Sequence, residues 1–158
     1  MTPKQRRLLF VDDERNIRET LSVILLRYGF TVTVAATVTE ALQKIETEEF
    51  DLLLCDLNID RENDGLDVVR AIRKVNPNCV TIILTAYPGT ESALESIHLG
   101  IDEYIVKPAK ADVLVALLAE KLAQRAARVF VSKRQAEEAE LNPGDDSFLS
   151  DPKSKTIH

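Results

Sequence analysis

Five side chains that could handle a phosphoryl group stand where apolar segments of the sequence end. They are the pair Asp12 and Asp13, then Asp56, Thr85 and Lys107. Carboxylates held close together repel one another unless a cation lies among them. Oxygen ligands without clustered His or Cys favour Mg²⁺, and a lysine beside that ion suits phosphoryl oxygens. A carboxylate can also be the nucleophile, which gives an aspartyl phosphate.

Strand-like and helix-like segments alternate five times and must position these side chains. The continuous apolar run at residues 52–55 predicts a strand buried on both faces, and the strict alternation at residues 31–35 predicts an edge strand. The alternation predicts an α/β fold, a parallel sheet with helices on both faces, whose site lies beyond the carboxyl ends of the strands. The other predicted strands are residues 8–11, 80–84 and 102–106.

Local signals mark the ends of several predicted helices. Gly29 stands where the first helix would terminate, and Thr37 with Glu40 has the spacing of a capping box. Pro108 precedes the last helix, which could run from Ala109 to Ala139. We expect three regions: an N-terminal extension at residues 1–6, one domain at residues 7–127, and a helical extension with a flexible tail at residues 128–158.

The composition and net charge of the chain argue against several classes of function. The 158 residues are 45% hydrophobic and carry a net charge of −6. This acidity argues against direct binding of nucleic acid by this chain, and no apolar run approaches the length of a membrane span. Cys55 and Cys79 lie inside apolar runs, so they form neither a disulfide framework nor a zinc site. We expect a soluble, reduced, cytoplasmic protein without membrane association.

The order and spacing of these residues resemble a known family. Asp12-Asp13, Asp56, Thr85-Ala86 and Lys107-Pro108 match the pattern of the CheY-like receiver domain of two-component response regulators over roughly residues 6 to 125. The resemblance implies a flavodoxin-like, doubly wound sheet of five parallel strands in the order 2-1-3-4-5.

The same resemblance implies an acceptor and a metal. Asp56 would be the phosphoacceptor, in a reaction that needs Mg²⁺, for which Mn²⁺ could substitute. Asp13 and Asp56 would bind the ion through their side chains and Asn58 through its backbone carbonyl, with Asp12 acting mostly through water. The domain would be a switch that catalyses only its own phosphorylation and dephosphorylation.

The remaining implied roles concern the response to phosphorylation. Lys107 would pair with the carboxylate or the phosphoryl group, Thr85 would move toward the phosphate, and Tyr104 would turn inward with it. The Lys107–Pro108 bond is expected to be cis. Asn58 and Tyr87 would flank the path of the hydrolytic water and so tune the lifetime of the phosphate.

Partners follow from the resemblance too. The donor would be a sensor histidine kinase or a phosphotransfer protein, and the output would be a downstream protein partner. The surface of the fourth helix, fifth strand and fifth helix would change shape, and it could also form a homodimer.

One segment departs from the common pattern. Many receivers have Met-Pro after the acceptor and reach the glycine of the third helix eight residues on. Here Ile59-Asp60 replaces that pair, and Gly65 comes nine residues after Asp56. We therefore expect a rearranged loop at residues 58–64.

Three other interpretations stay open. The chain could be a receiver fragment of a longer regulator, or an interaction module with an inactive site, although its full set of site residues argues against the latter. It could also be a Mg²⁺-dependent phosphatase with Asp56 as nucleophile. Such enzymes use a second acid two residues later, whereas this chain has Asn58.

Overall fold

Five parallel strands form a single sheet in the computed structural model, which describes residues 6–87 and 89–141, without the side chains of residues 90–92. The strand order is β2-β1-β3-β4-β5, so the predicted order is confirmed. Residues 142–158 of the predicted helical extension and flexible tail, and residues 1–5 of the predicted N-terminal extension, lie outside the described residues. The strands are β1 (Arg6–Val11), β2 (Phe30–Ala35), β3 (Leu52–Asp56), β4 (Val80–Thr85) and β5 (Glu103–Val106).

Helices connect the strands and cover both faces of the sheet. One face packs against α2 and α3 through a core that includes Leu9, Leu53 and Ile83, and the other packs against α1 and α5 through Phe10 and its neighbours. Successive strand residues point to opposite faces, which explains why the central strands are apolar throughout. The helices are α1 (Arg15–Arg27), α2 (Val38–Thr47), α3 (Gly65–Val75), α4 (Thr90–His98) and α5 (Ala111–Leu141).

The edge position predicted for the second strand is confirmed. Strand β2 pairs with β1 and has half-buried or exposed residues at its centre, whereas every residue of β3 and β4 is buried. The buried central strands end beside one another, which places the polar residues that follow them in a confined space.

Two predicted helix signals are also confirmed. The Thr37 hydroxyl accepts the Glu40 amide at 3.1 Å, as in a capping box, and the Glu40 carboxylate accepts the amide of Ala36, the residue before the N-cap, at 2.8 Å. Gly29 follows α1 with φ of +90°, a conformation that glycine adopts without steric cost.

Helix α5 is the longest helix of the described residues. Its residues Leu114 and Leu118 are buried in the core of the domain, whereas residues 130–141 are exposed. Contacts divide the chain into two compact units, one ending at Arg125 and the other beginning at Ala126. Over the part of the chain that is described, no helix is both long enough and apolar enough to cross a membrane.

Candidate functional site

Strand register brings the predicted site residues to one edge of the sheet. Val11, the last residue of β1, pairs with Cys55 of β3, so Asp12 and Asp56 follow at equivalent positions on neighbouring strands. On the far side Thr85 pairs with Val106, which places Lys107 directly beyond β4 and β5. The residues are far apart in sequence but adjacent because parallel strands end at the same edge.

The three aspartates form an acidic cluster at this edge. One oxygen of each of Asp12, Asp13 and Asp56 lies within 4.8 Å of the others. Asp12 and Asp56 are buried, whereas Asp13 is exposed and leaves the cluster open to solvent on one side. Three oxygen donors without a nitrogen or sulfur ligand fit a hard divalent cation such as Mg²⁺.

Lys107 joins the two buried carboxylates. Its Nζ donates to Asp12 Oδ2 at 2.9 Å and to Asp56 Oδ2 at 3.1 Å. Burial lowers the pKa of Lys107, but the hydrogen bond and charge of Asp12 and the charge of Asp56 outweigh it, so the pKa lies above its ordinary value. The ammonium group is therefore fixed in its charged form beside both carboxylates.

Burial acts in the opposite sense on the central carboxyl group. It raises the pKa of Asp56, and the nearby charge of Asp12 raises it further. The Lys107 charge and hydrogen bond lower this pKa but do not fully compensate. Asp56 therefore lies in surroundings that favour neutralisation of its charge, which a bound cation or a second cationic group would provide.

Thr85 and Tyr104 lie on the neighbouring strands. Thr85 is fully buried, its Oγ1 accepts the Tyr87 amide at 3.1 Å, and its carbonyl accepts the Lys107 amide at 2.7 Å. Tyr104 is half-buried and packs against the core on the α3 side. The Lys107–Pro108 bond is cis, as expected.

Asn58 lies in the loop that follows β3. Its amide donates to Asp56 Oδ1 at 3.3 Å, and its side-chain Oδ1 accepts the Asn63 amide at 2.7 Å. Asn63 has a φ of +61°, the left-handed conformation that asparagine tolerates better than most residues. This geometry turns the Asn58 side chain into the loop.

Sequence reasoning noted Asp60 and Gly65 but missed how they and Asp64 organise this loop. Asp64 accepts the amides of three successive loop residues, and Asp60 Oδ2 accepts the Val38 amide at the start of α2. Gly65 lies against β3 so closely that a Cβ atom would overlap the Asp56 carbonyl oxygen. The sequence Asp64-Gly65 at the start of a helix could have drawn attention to this position. It predicts, however, that the Asp64 side chain caps the helix, and Asp64 makes no such hydrogen bond.

The two cysteines are buried and free. Cys55, which directly precedes Asp56, donates through its thiol to the Asp56 carbonyl at 3.3 Å. Burial raises its pKa well above the ordinary value, and burial also raises the pKa of Cys79 to about 12. Both thiols are therefore protonated and unreactive in the folded chain, which agrees with a packing role.

Comparison with known proteins places this geometry in a family. The family described as the response regulator receiver domain matches residues 8–119. The transcriptional regulatory protein ZraR of Klebsiella oxytoca is 34% identical over 123 residues, which are 78% of this chain and 28% of ZraR. The chain therefore spans about a quarter of the length of this relative.

Solved structures give the same result. A CheY-like receiver domain protein from Methanospirillum hungatei JF-1 is 34% identical with a TM-score of 0.75, covering 79% of this chain and 99% of that protein. A response regulator from Burkholderia pseudomallei, solved with a phosphorylated aspartic acid, a calcium ion and citrate, is 29% identical with a TM-score of 0.68, covering 88% of this chain and 76% of that protein. The chain belongs to the receiver domain family of two-component response regulators.

Proposed function

We propose that Asp56 accepts a phosphoryl group from a partner histidine kinase or phosphotransfer protein, and that the surface of α4, β5 and α5 changes in response. The observation that carries the proposal is the Lys107 ammonium group bound to both Asp12 and Asp56 beside Asp13. A phosphorylated aspartic acid in the Burkholderia pseudomallei relative supports the same chemistry.

The proposed reaction uses the carboxylate of Asp56 as nucleophile. Its oxygen attacks phosphorus, and the bond from phosphorus to the donor breaks, with the electron pair leaving on the donor. Lys107 keeps its positive charge beside the transferred group. Mg²⁺, or Mn²⁺ in its place, would neutralise the phosphoryl oxygens when bound. Asp13, Asp56 and the Asn58 carbonyl would hold the ion, with Asp12 acting mostly through water.

The response would begin at Thr85. Its hydroxyl would exchange its bond with the Tyr87 amide for one to the phosphoryl group, and Tyr104 would move further into the core. The nearby surface offers exposed apolar side chains to a downstream protein or to a second copy of the chain. These are Leu94, Ile97, Val106 and Val113.

The residues two positions beyond Asp56 and Thr85 would set the lifetime of the phosphate. Tyr87 is 81% exposed, so its ring is open to the approach of water toward the site. The Asn58 side chain is held by the Asn63 amide, and releasing it would alter the space that a hydrolytic water needs.

The cellular location of this switch and the kind of protein that contains it are also part of the proposal. We place it in the cytoplasm, acting through protein contacts without direct binding of nucleic acid or membrane. A receiver module of a longer regulator is the second candidate, because the matched region is only 28% of ZraR, which is a transcriptional regulatory protein. The phosphorylation chemistry is the same in both cases.

Intact mass tests the proposal. Wild-type protein is incubated with Mg²⁺ and acetyl phosphate beside Asp56→Asn and the control Asp51→Asn, which changes a carboxylate at the other end of the same strand. We expect one phosphoryl adduct on wild type and on the control, and none on Asp56→Asn. An adduct on Asp56→Asn would refute the acceptor assignment. Continuing release of phosphate from many phosphomonoesters would instead favour the phosphatase.

A further inference from the structure

The buried carboxylate of Asp64 binds three successive backbone amides of the preceding loop. Its Oδ1 accepts the Ile59 amide at 2.7 Å, and its Oδ2 accepts the amides of Asp60 and Arg61 at 2.8 Å each. Asp64 is 9% exposed and, although it is the first residue before α3, its side chain does not cap that helix. Both carboxylate oxygens are thus engaged by the loop beside the acidic cluster.

A single peptide group connects Asp64 to the proposed ion site. The carbonyl of Asn58 and the amide of Ile59 belong to the same peptide, and in a planar trans peptide these two groups point in opposite directions. The bond from the Ile59 amide to Asp64 therefore fixes the direction of the Asn58 carbonyl. A charged acceptor on the amide also polarises the carbonyl at the other end.

Other contacts hold this peptide on both sides. The Asn58 amide donates to Asp56 Oδ1, and the Asn58 side chain accepts the Asn63 amide. Farther along, the Val38 amide donates to Asp60 Oδ2 at 3.1 Å, which ties the loop to the start of α2. These contacts fix the residues on both sides of the Asn58–Ile59 peptide. The orientation of the peptide plane between them then depends on the hydrogen bond from the Ile59 amide to Asp64.

We propose that Asp64 is a positioning residue that aims the Asn58 carbonyl at a divalent cation bound by Asp13 and Asp56. The proposal rests on the proposed function, because it assumes that the acidic cluster binds such an ion. Both carboxylate oxygens of Asp64 accept backbone amides, so Asp64 acts on the ion only through the Asn58–Ile59 peptide.

Calorimetric titration of the unphosphorylated full chain with Mg²⁺ tests the proposal. Asp64→Asn keeps the shape of the side chain but replaces one acceptor oxygen with a donor nitrogen. Asp67→Asn is the matched control, since it makes the same charge change in the first turn of α3 at an exposed carboxylate that pairs with Arg70. We expect Asp64→Asn to weaken Mg²⁺ binding about tenfold, the scale for residues that orient metal ligands, and the control to bind as wild type does.

A second readout separates positioning from general damage. In phosphorylation by acetyl phosphate, the half-saturating Mg²⁺ concentration of Asp64→Asn should rise by the same factor, while the rate at saturating Mg²⁺ stays close to that of wild type. A folded Asp64→Asn variant with unchanged Mg²⁺ affinity would overturn the proposal. A wild-type protein that binds no Mg²⁺ would overturn both this proposal and the proposed function.

If Asp64→Asn does not fold, hydrogen exchange of the Ile59 amide in the wild-type chain tests the proposal instead. The Ile59 amide should exchange much more slowly than in an unstructured peptide, and more slowly again when Mg²⁺ is added. Exchange of Ile59 at the rate of an unstructured peptide would show that the Asp64 bond does not hold the loop, and the proposal would fail.

Discussion

Asp56 carries its charge in unfavourable surroundings when no cation is bound. Burial raises its pKa, Lys107 opposes this effect, and the charge of Asp12 adds to it. A carboxyl group whose pKa is raised by folding stabilises the fold while it is protonated, below its ordinary value of 3.8. That stability is lost as the pH rises through the raised pKa, so ionised Asp56 destabilises the chain at neutral pH.

Asp56→Asn should therefore stabilise the chain at pH 7 without Mg²⁺. We expect the free energy of unfolding to rise, because the substitution removes a carboxylate whose charge is disfavoured mainly by burial. The gain should disappear as the pH falls toward 3.8, where wild-type Asp56 is protonated as well. Urea unfolding at several pH values measures the difference, with Asp51→Asn as control. An Asp56→Asn variant that is less stable than wild type at pH 7 would contradict this account.

At this scale the sequence predicts the acidic cluster better than it predicts the residues that organise the loop beside it. Asp12, Asp56 and Lys107 could be grouped because each ends an apolar run, and the sheet then brings the run ends together. Asp64 could not be grouped with them, because its partners are backbone amides. Every residue except proline carries an amide, so nothing in residue type distinguishes these three donors.

At the scale of elements, the start of α3 is constrained by its contact with β3. The Gly65 amide donates to the Leu57 carbonyl at 2.8 Å, and a Cβ atom at Gly65 would overlap the carbonyl oxygen of Asp56. The glycine is needed here for close approach of two backbones and not for an unusual φ. This approach sets the distance between α3 and β3.

Gly65→Ala separates this contact from helix propensity. Propensity alone predicts that alanine stabilises a helix by up to about 1 kcal/mol. The contact with Asp56 instead predicts a loss of about 3 kcal/mol, since backbone must move. Gly100→Ala is the matched control, because Gly100 has φ of +68° and no atom near a Cβ, so we expect a loss of about 1 kcal/mol. Thermal unfolding of both variants gives the comparison, and a more stable Gly65→Ala would show that the contact relaxes freely.

The exact boundaries of the strands are a feature of this scale that the pattern of apolar residues does not predict. Apolar residues predict that the first strand begins at Leu8, but β1 begins at Arg6, because Arg6 and Arg7 pair with Phe30 and Thr31 of β2. Backbone pairing continues beyond the apolar run, and apolar residues mark only the part of a strand that is covered.

At the scale of the whole domain, a second polar cluster secures the opposite end of the sheet. The Asp102 carboxylate accepts the Thr81 amide at 2.9 Å and the Arg125 guanidinium at 2.9 Å, and it lies 3.4 Å from the Arg73 guanidinium. These partners come from β4, α5 and α3. The cluster joins three elements far from Asp56 and includes Arg125, the last residue of the first compact unit.

Arg125→Met should destabilise the domain while leaving the acidic cluster around Asp56 intact. We expect a loss of about 2 kcal/mol, the scale of hydrogen bonds to a charged group, because Asp102 is 12% exposed and would keep only Arg73 and Thr81. Arg128→Met, at an exposed position three residues later in α5, should change stability by less than about 0.5 kcal/mol. Urea unfolding compares the two, and equal stability of Arg125→Met and wild type would argue that the cluster is dispensable.

The buried thiols of Cys55 and Cys79 can report local opening of the sheet. The sequence contains only two cysteines, and both thiols are inaccessible and protonated while the sheet is intact. A thiol reagent can therefore modify only molecules in which β3 or the start of β4 has separated from its neighbours. Under native conditions the modification rate of Cys55 then reports opening of the sheet beside Asp56, and that of Cys79 reports opening at the opposite edge, without a probe being added to the protein.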